Sequence, residues 1–169
     1  MKTIKNNRLS TLCASIAFLL GSSALAGTAT ANMSVSATVS NSCTISTTAL
    51  AFGAFSPTSG QPGNGTSSVS VTCTQDAPLS IMLGEGSYAD AASSPDAPLR
   101  RMNFGTSYLN YELYQDAALT TLWGDSSNSG KGSIGTGSAE NHTVYAKIPS
   151  GQNVPAGAYA DTLLATVSF

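Results

Sequence analysis

Charged side chains are scarce in this sequence, because Asp, Glu, Lys and Arg together make up only 9% of its 169 residues. Seven residues are basic, and Lys2, Lys5 and Arg8 stand at the very beginning of the chain. The rest of the chain therefore holds four basic residues against nine acidic ones. Proteins that bind nucleic acid need clustered Lys and Arg for phosphate contacts. The shortage of basic residues thus excludes nucleic acid as a partner.

Histidine is limited to one residue, His142, so catalytic and metal sites that need several imidazoles are excluded. The Gly-x-Ser-x-Gly motif of serine hydrolases is missing as well. Asp90 and Asp96 fall in a predicted turn, without the placement of a glycosidase carboxylate pair. Gly84-Glu85-Gly86 lacks the context of a nucleotide-binding loop. We therefore predict that the protein is not an enzyme and binds no cofactor and no metal ion.

Long apolar runs are also rare, and the one that stands out lies at the N-terminus. A basic stretch, Met1–Arg8, precedes the apolar run Leu12–Leu20, and Ala24-Leu25-Ala26 supplies small residues for a cleavage site. These are the three parts of a secretory signal peptide. The run is shorter than the roughly 20 residues that span a membrane. We predict that residues 1–26 are a signal peptide, with a second cleavage site after Ala31, and that the protein is not an integral membrane protein.

Cysteine occurs three times, and Cys13 lies within the predicted signal peptide. The two that remain, Cys43 and Cys73, are expected to form one disulfide in an exported protein. Such a bond closes a loop of about 30 residues, for which the chain-entropy model gives about 3–4 kcal/mol. A thiolate metal site would need further ligands, and His142 is far away in sequence.

Alternation of apolar and polar residues is the recurring signal of the remaining chain, and it is typical of half-buried β-strands. The alternating runs are Met33–Val39, Val69–Cys73, Leu79–Leu83, Leu109–Leu113, Val144–Ile148 and Leu163–Phe169. Segments rich in Gly, Pro and Ser separate them, and we expect Gly124–Ser138 to be a mobile loop. Short strands with such turns predict a single all-β domain, a β-sandwich.

The first and last runs raise a question about how the sandwich is closed. The final run places four side chains on one apolar face: Leu163, Ala165, Val167 and Phe169. The sequence stops on this run, which suggests that the final strand of the sandwich is missing. An open edge of this kind can accept a strand from another chain. The first run, with its apolar face made of Met33, Val35, Ala37 and Val39, either supplies that strand or is the first strand of its own domain.

Several short motifs accompany these runs in a fixed order. They are Cys43-Thr44-Ile45, Leu50-Ala51-Phe52-Gly53, Val69–Cys73, Arg101-Met102, Leu109–Asp116, Leu122-Trp123-Gly124, Pro149–Gln152, Pro155–Tyr159 and Asp161-Thr162. Each motif alone is weak, but the ordered set resembles the spore-coat-protein-U domain family. That family includes the subunits of archaic (Csu-type) chaperone–usher pili.

The resemblance implies an incomplete immunoglobulin-like β-sandwich that is completed by donor-strand exchange. Residues 27–41 would be the N-terminal donor extension, with Met33, Val35, Ala37 and Val39 facing the core of the acceptor. Residues 42–169 would be the pilin domain, in which Leu163, Ala165, Val167 and Phe169 form the acceptor and chaperone-binding strand. The implied partners are copies of the chain or related pilin subunits, a periplasmic chaperone and an outer-membrane usher.

The function implied by the resemblance is a structural subunit of an extracellular pilus or fimbria. Such a subunit is secreted through the periplasm to the cell surface and supports adhesion and biofilm formation. Two alternatives stay open: a secreted coat or matrix protein that completes its own sandwich, and a lectin-like module that uses Tyr108, Tyr114 and the Gly124–Ser138 loop. Tyr111 and Trp123 are expected to pack in the core, and His142 to be an exposed strand residue.

Overall fold

The computed structural model describes residues 26–169, so the predicted signal peptide with Cys13 lies outside the described residues, apart from Ala26. The chain divides after Ala37 into two units. Residues 26–42 have no regular secondary structure. The side chains of Met33, Val35 and Val39 are 86%, 86% and 83% exposed. The alternating run Met33–Val39 therefore forms no strand here, and its role as a donor stays a prediction.

Eight β-strands and one 3-10 turn, Pro57–Ser59, form within residues 38–169. The strands are β1 (Cys43–Thr47), β2 (Gly63–Cys73), β3 (Pro78–Leu83), β4 (Arg100–Phe104), β5 (Ser107–Tyr114), β6 (Lys131–Ile134), β7 (Ala139–Ile148) and β8 (Ala165–Ser168). Five of the alternating runs predicted from the sequence lie in or overlap β2, β3, β5, β7 and β8. The expected all-β fold is confirmed.

The strands pair antiparallel in two sheets. One sheet has five strands in the order β1-β2-β7-β5-β4, and the other has three in the order β6-β3-β8. Because neighbouring residues along a strand point to opposite faces, each sheet turns one apolar face inward. The inner faces of both sheets contribute to one core, with Val71, Leu113 and Ala146 from the larger sheet and Ile81 and Leu83 from the smaller.

The prediction that Gly124–Ser138 is a mobile loop is wrong for the central part of this segment. Lys131–Ile134 forms β6, which pairs antiparallel with β3 from Pro78 to Ile81. The sequence of β6 has no apolar alternation, because Ser133 and Lys131 lie opposite the core residues Leu79 and Ile81. Ile134 points outward and is largely exposed. A short strand of this kind has no sequence signal of period two.

Two expectations about the core are confirmed. Cys43 and Cys73 form the predicted disulfide, and they lie directly opposite each other in the pairing of β1 with β2. Tyr111 and Trp123 are buried, and the Trp123 indole N–H donates a hydrogen bond to the Ile81 carbonyl across the sandwich at 2.8 Å. That bond satisfies the polar group of the largest core side chain.

Candidate functional site

The candidate site is an apolar groove at one edge of the sandwich. The strands β1 and β8 are the edge strands of different sheets, and they lie next to each other. On its inner side β8 pairs with β3, and no strand of the described residues pairs with its other side. Of the β8 residues, Ala165 lines the groove, so the free edge of β8 begins at the groove.

The first compartment of the groove has a volume of about 520 Å³. Its floor is formed by core side chains of both sheets, among them Val69, Leu83 and Leu113. One wall is the end of β1 with the chain that follows it, residues 47–50, and the other is the chain that leads into β8, residues 159–163. The compartment thus opens directly onto the hydrophobic core.

A second compartment of about 720 Å³ adjoins the first, because both are lined by Leu50, Phe52, Met102 and Tyr159. Part of its wall is the irregular segment from Leu50 to Phe55, whose apolar side chains pack against the core. Two glycines of β2 make room for this segment. A Cβ at Gly63 would lie 3.1 Å from the Phe55 ring, and one at Gly65 would lie 3.2 Å from Leu50.

The structure brings the predicted acceptor residues to this groove only in part. Leu163 and Ala165 line the first compartment, and both are half-buried against the core together with Val167. Leu163 lies just before β8 rather than within it. Phe169 follows the strand and is 53% exposed. The inward alternation therefore holds from Leu163 to Val167 and is lost at Phe169.

Two polar side chains that line the groove were not predicted as functional from the sequence. The Tyr111 hydroxyl donates a hydrogen bond of 2.7 Å to the Asp161 carboxylate, and both residues line the first compartment. Burial, together with this bond to an anion, raises the pKa of the Tyr111 phenol far above its ordinary value. Both residues lie in motifs of the sequence, Tyr111 in Leu109–Asp116 and Asp161 in Asp161-Thr162, but neither motif indicated that the two side chains are in contact.

Arg100 is a buried cation close to the same pair. Its guanidinium donates to the backbone carbonyls of Leu83, Gly84 and Trp123, and the residue is 1% exposed. Burial lowers the pKa of Arg100 to about 10, while Tyr111, Asp125 and Asp161 act in the opposite direction. Since the carbonyls come from both β3 and the chain around Trp123, Arg100 ties β4 to the opposite sheet.

The surface predicted for a lectin-like site is not formed. Tyr108 is exposed on β5, with the Arg101 guanidinium stacked over its ring. Tyr114 is only 8% exposed, and its hydroxyl donates to Glu112. Burial and that bond raise the pKa of Tyr114 to about 12. The two rings therefore offer no shared aromatic platform.

His142 is not the exposed residue expected from the sequence. It lies in β7 opposite Val69, so its ring points toward the core, and it is half-buried. Among residues 26–169, no group of three His, Cys, Asp or Glu side chains could hold a metal ion. In the same part of the chain no helix is long and apolar enough to cross a membrane.

Fold and site together define a class of protein, an all-β antiparallel sandwich with an apolar groove beside an edge strand. The model of the Spore Coat Protein U domain matches residues 29–166 of the chain. The chain belongs to the Spore Coat Protein U domain family. The resemblance seen in the ordered motifs is thereby confirmed.

Individual proteins similar to this chain include one relative and one solved structure. Protein U of Myxococcus xanthus is 41% identical over 159 residues, which cover 88% of this chain and 89% of that protein. The second is a chain in the crystal structure of the CsuC–CsuE chaperone–tip adhesion subunit pre-assembly complex from archaic chaperone–usher Csu pili of Acinetobacter baumannii, with a TM-score of 0.55 and 24% identity. That match covers 78% of this chain and 40% of the solved chain, so this chain spans less than half of its length. At this identity the likeness concerns the fold.

Proposed function

We propose that the protein is a structural subunit of an extracellular pilus or fimbria, assembled by the chaperone–usher pathway through donor-strand complementation. The observation that carries the proposal is the apolar groove of about 520 Å³ where the free edge of β8 begins, at Ala165. A strand that enters this groove would pair with β8 and cover the core at the same time. The fold shared with a chain of the Csu complex supports the same function.

The donor in this proposal is the N-terminal extension, residues 27–41, of another copy or a related subunit. Met33, Val35 and Val39 are exposed and so available for burial elsewhere. Burying each such side chain contributes about 1.5–3 kcal/mol, with less for Ala37. Each backbone hydrogen bond to β8 adds about 0.5–1.5 kcal/mol. Residues 32–39 would extend over about 26 Å, enough to follow one edge of the sandwich.

The same groove defines the proposed partners during export. A periplasmic chaperone would lend a strand to Leu163, Ala165, Val167 and Phe169 until an outer-membrane usher exchanges it for the extension of the next subunit. The finished fibre would lie at the cell surface, where it supports adhesion and biofilm formation. Its work is mechanical and adhesive, so the proposed function requires no catalytic residue.

Mixed assembly tests the proposal. Tagged copies that carry Val35→Asp and Val39→Asp are exported together with wild-type copies, a chaperone and an usher. The charges would have to be buried in the acceptor core, so these copies should accept a strand but not donate one. Labelling of the tag should therefore appear only at fibre ends.

A matched control places the same charges on the other face of the extension. Copies with Ser36→Asp and Ser40→Asp should be incorporated along the whole fibre, because these side chains face away from the acceptor. Labelling of the Val35→Asp, Val39→Asp copies along the fibre, at the level of the control, would contradict strand donation.

A second candidate function is a secreted coat or matrix protein that completes its own sandwich. The observation that favours it is the 41% identity to a protein named Protein U, together with the family's description as a spore coat domain. This function predicts a heat-stable monomer, whereas strand donation predicts heat-sensitive oligomers.

A further inference from the structure

The walls of the groove are apolar, and they would bury surface that is now exposed to water if they moved together. Removal of apolar surface from water is favourable, so an empty groove tends to collapse. A wall that stays in place must be held by directed bonds. The relevant wall is the chain from Tyr159 to Leu163, which lines the first compartment.

This wall is the place where the chain passes from one sheet to the other. Ala160 exchanges two backbone hydrogen bonds with Asn103 of β4, at 2.8 and 3.2 Å, at the edge of the five-stranded sheet. Only five residues later, Ala165 pairs with Leu83 of β3 in the three-stranded sheet. Asp161 stands at the start of the crossing.

The Asp161 carboxylate is held from two directions. One oxygen accepts the Tyr111 hydroxyl at 2.7 Å, which connects it to β5 in the larger sheet. The other accepts the backbone N–H of Ser87 at 2.9 Å, which connects it to the chain that follows β3. Asp161 is therefore bonded to both layers of the sandwich within the wall of the first compartment.

The local backbone leaves space for this carboxylate. Gly86 has a φ of +89°, and a Cβ at this position would collide with the Asp161 carboxylate. The neighbouring Ser87 also binds the crossing chain, through its N–H and its hydroxyl, both to the Thr162 carbonyl at 3.0 Å. We name the set Tyr111, Asp161, Gly86 and Ser87 the crossover clamp.

We propose that the crossover clamp holds the wall of the groove apart from β1, and that Asp161 is the positioning residue that keeps the groove open for an incoming strand. This inference rests on the proposed function, since it concerns how the same groove receives a strand. Asp161 acts through the backbone that it fixes, and its carboxylate is already occupied by donors of its own chain. Loss of the clamp lets the wall close over the core, so a strand binds more weakly.

The experiment uses the full exported chain with Val35→Asp and Val39→Asp, which cannot donate its own extension. The probe is a fluorescein-labelled peptide with the sequence of residues 27–41, and binding is followed by fluorescence anisotropy. Tyr111→Phe keeps the core ring but removes a hydrogen bond to a carboxylate, so we expect a loss of peptide affinity of about tenfold or more. Asp161→Ala should lose at least as much, and Asp161→Asn, which keeps an acceptor oxygen, should recover part of the affinity.

Gly86→Ala and Gly105→Ala form a matched pair. Both glycines have positive φ, +89° and +60°, so both alanine variants carry backbone strain. A Cβ at Gly105 meets no atom within 4 Å, whereas one at Gly86 meets Asp161. We expect Gly86→Ala to weaken peptide binding and Gly105→Ala to leave it unchanged, although both lower the urea midpoint.

The outcomes separate the two proposals. If no peptide binds even to the parent, strand donation fails and the clamp fails with it. If the parent binds but affinity follows the urea midpoint alike in Tyr111→Phe, Gly86→Ala, Gly105→Ala and the core variant Leu79→Val, the clamp is only structural. That second result overturns the inference and leaves the proposed function standing. A loss of peptide affinity in the clamp variants alone, beyond what the urea midpoint explains, supports the inference.

Discussion

Three ionisable side chains occupy inward-facing positions of the sandwich where apolar side chains are expected. Arg100 lies opposite Tyr111, His142 opposite Val69, and Glu140 opposite Val71. Single buried atoms of all three, the Arg100 Nη1, the Glu140 Oε2 and the His142 Nε2, have no hydrogen-bond partner within the described residues. Buried polar groups without partners lower stability, so each of these positions costs stability that an apolar side chain would not.

His142 makes the stability of the protein sensitive to mild acid. Burial and the positive charge of Lys131 hold the pKa of His142 below its ordinary value of 6.5, and Glu140 opposes them. The unfolded chain therefore binds a proton more readily than the folded chain, so stability is full above about pH 6.5 and falls as the pH drops below it. In urea unfolding on the background with Val35→Asp and Val39→Asp, the midpoint should decrease from pH 7.5 to 5.5, and His142→Gln should reduce this decrease.

The matched control for this prediction is Asn141→Gln, an exposed position on the outer face of the same strand. It should leave the pH dependence between 7.5 and 5.5 as in the parent. Equal slopes for the parent and His142→Gln would mean that other groups set the acid sensitivity.

At the scale of the strands, the alternating runs predicted β2, β3, β5, β7 and β8 but not β1, where only Cys43 and Ile45 pack against the core. The inner residues of β3, β5 and β7 include Leu79, Ile81, Leu109, Leu113 and Val144, so their alternation was visible. β4 was missed because its inner face begins with Arg100, and β6 because its inner face holds Lys131 and Ser133. These strands are held by pairing with a neighbour and by buried polar contacts, which leave no periodic apolar signal.

The candidate site was predictable to a similar degree. The half-buried run from Leu163 to Val167 could be recognised from its alternation, and so could its place next to an open edge. The contact of Asp161 with Gly86 and Tyr111 could not be predicted, because it joins residues far apart in sequence. Leu50 and Phe55 pack over Gly65 and Gly63 because these two positions have no side chain. No local sequence pattern indicates which residues pack over a glycine.

The disulfide is the element that secures β1, one border of the groove, to β2. Replacing Cys43 and Cys73 together by Ser frees a loop of about 30 residues in the unfolded chain, so the free energy of unfolding should fall by about 3–4 kcal/mol. Urea unfolding of the chain with Val35→Asp and Val39→Asp, with and without the disulfide, measures the difference. Reduction of the parent with dithiothreitol should reproduce the effect, and an unchanged free energy would show that β1 needs no covalent support.

At the scale of the whole molecule, the groove and the extension are complementary in pattern. The groove exposes the core beside β8, and the extension carries exposed apolar residues at alternating positions. If the domain gains stability when a strand binds in the groove, then association between copies is favoured. The protein should therefore reach its full stability only as an assembly.

The measurement that tests this account most directly is an SDS gel of exported protein, with each sample loaded unboiled and boiled. One sample keeps Gly27–Val39 and the other lacks it, and both are produced with a chaperone–usher system. Strand donation predicts a ladder of oligomers that collapses on boiling and disappears with the deletion. A single heat-stable monomer band from the protein with the extension would contradict it and would favour the self-complete coat protein.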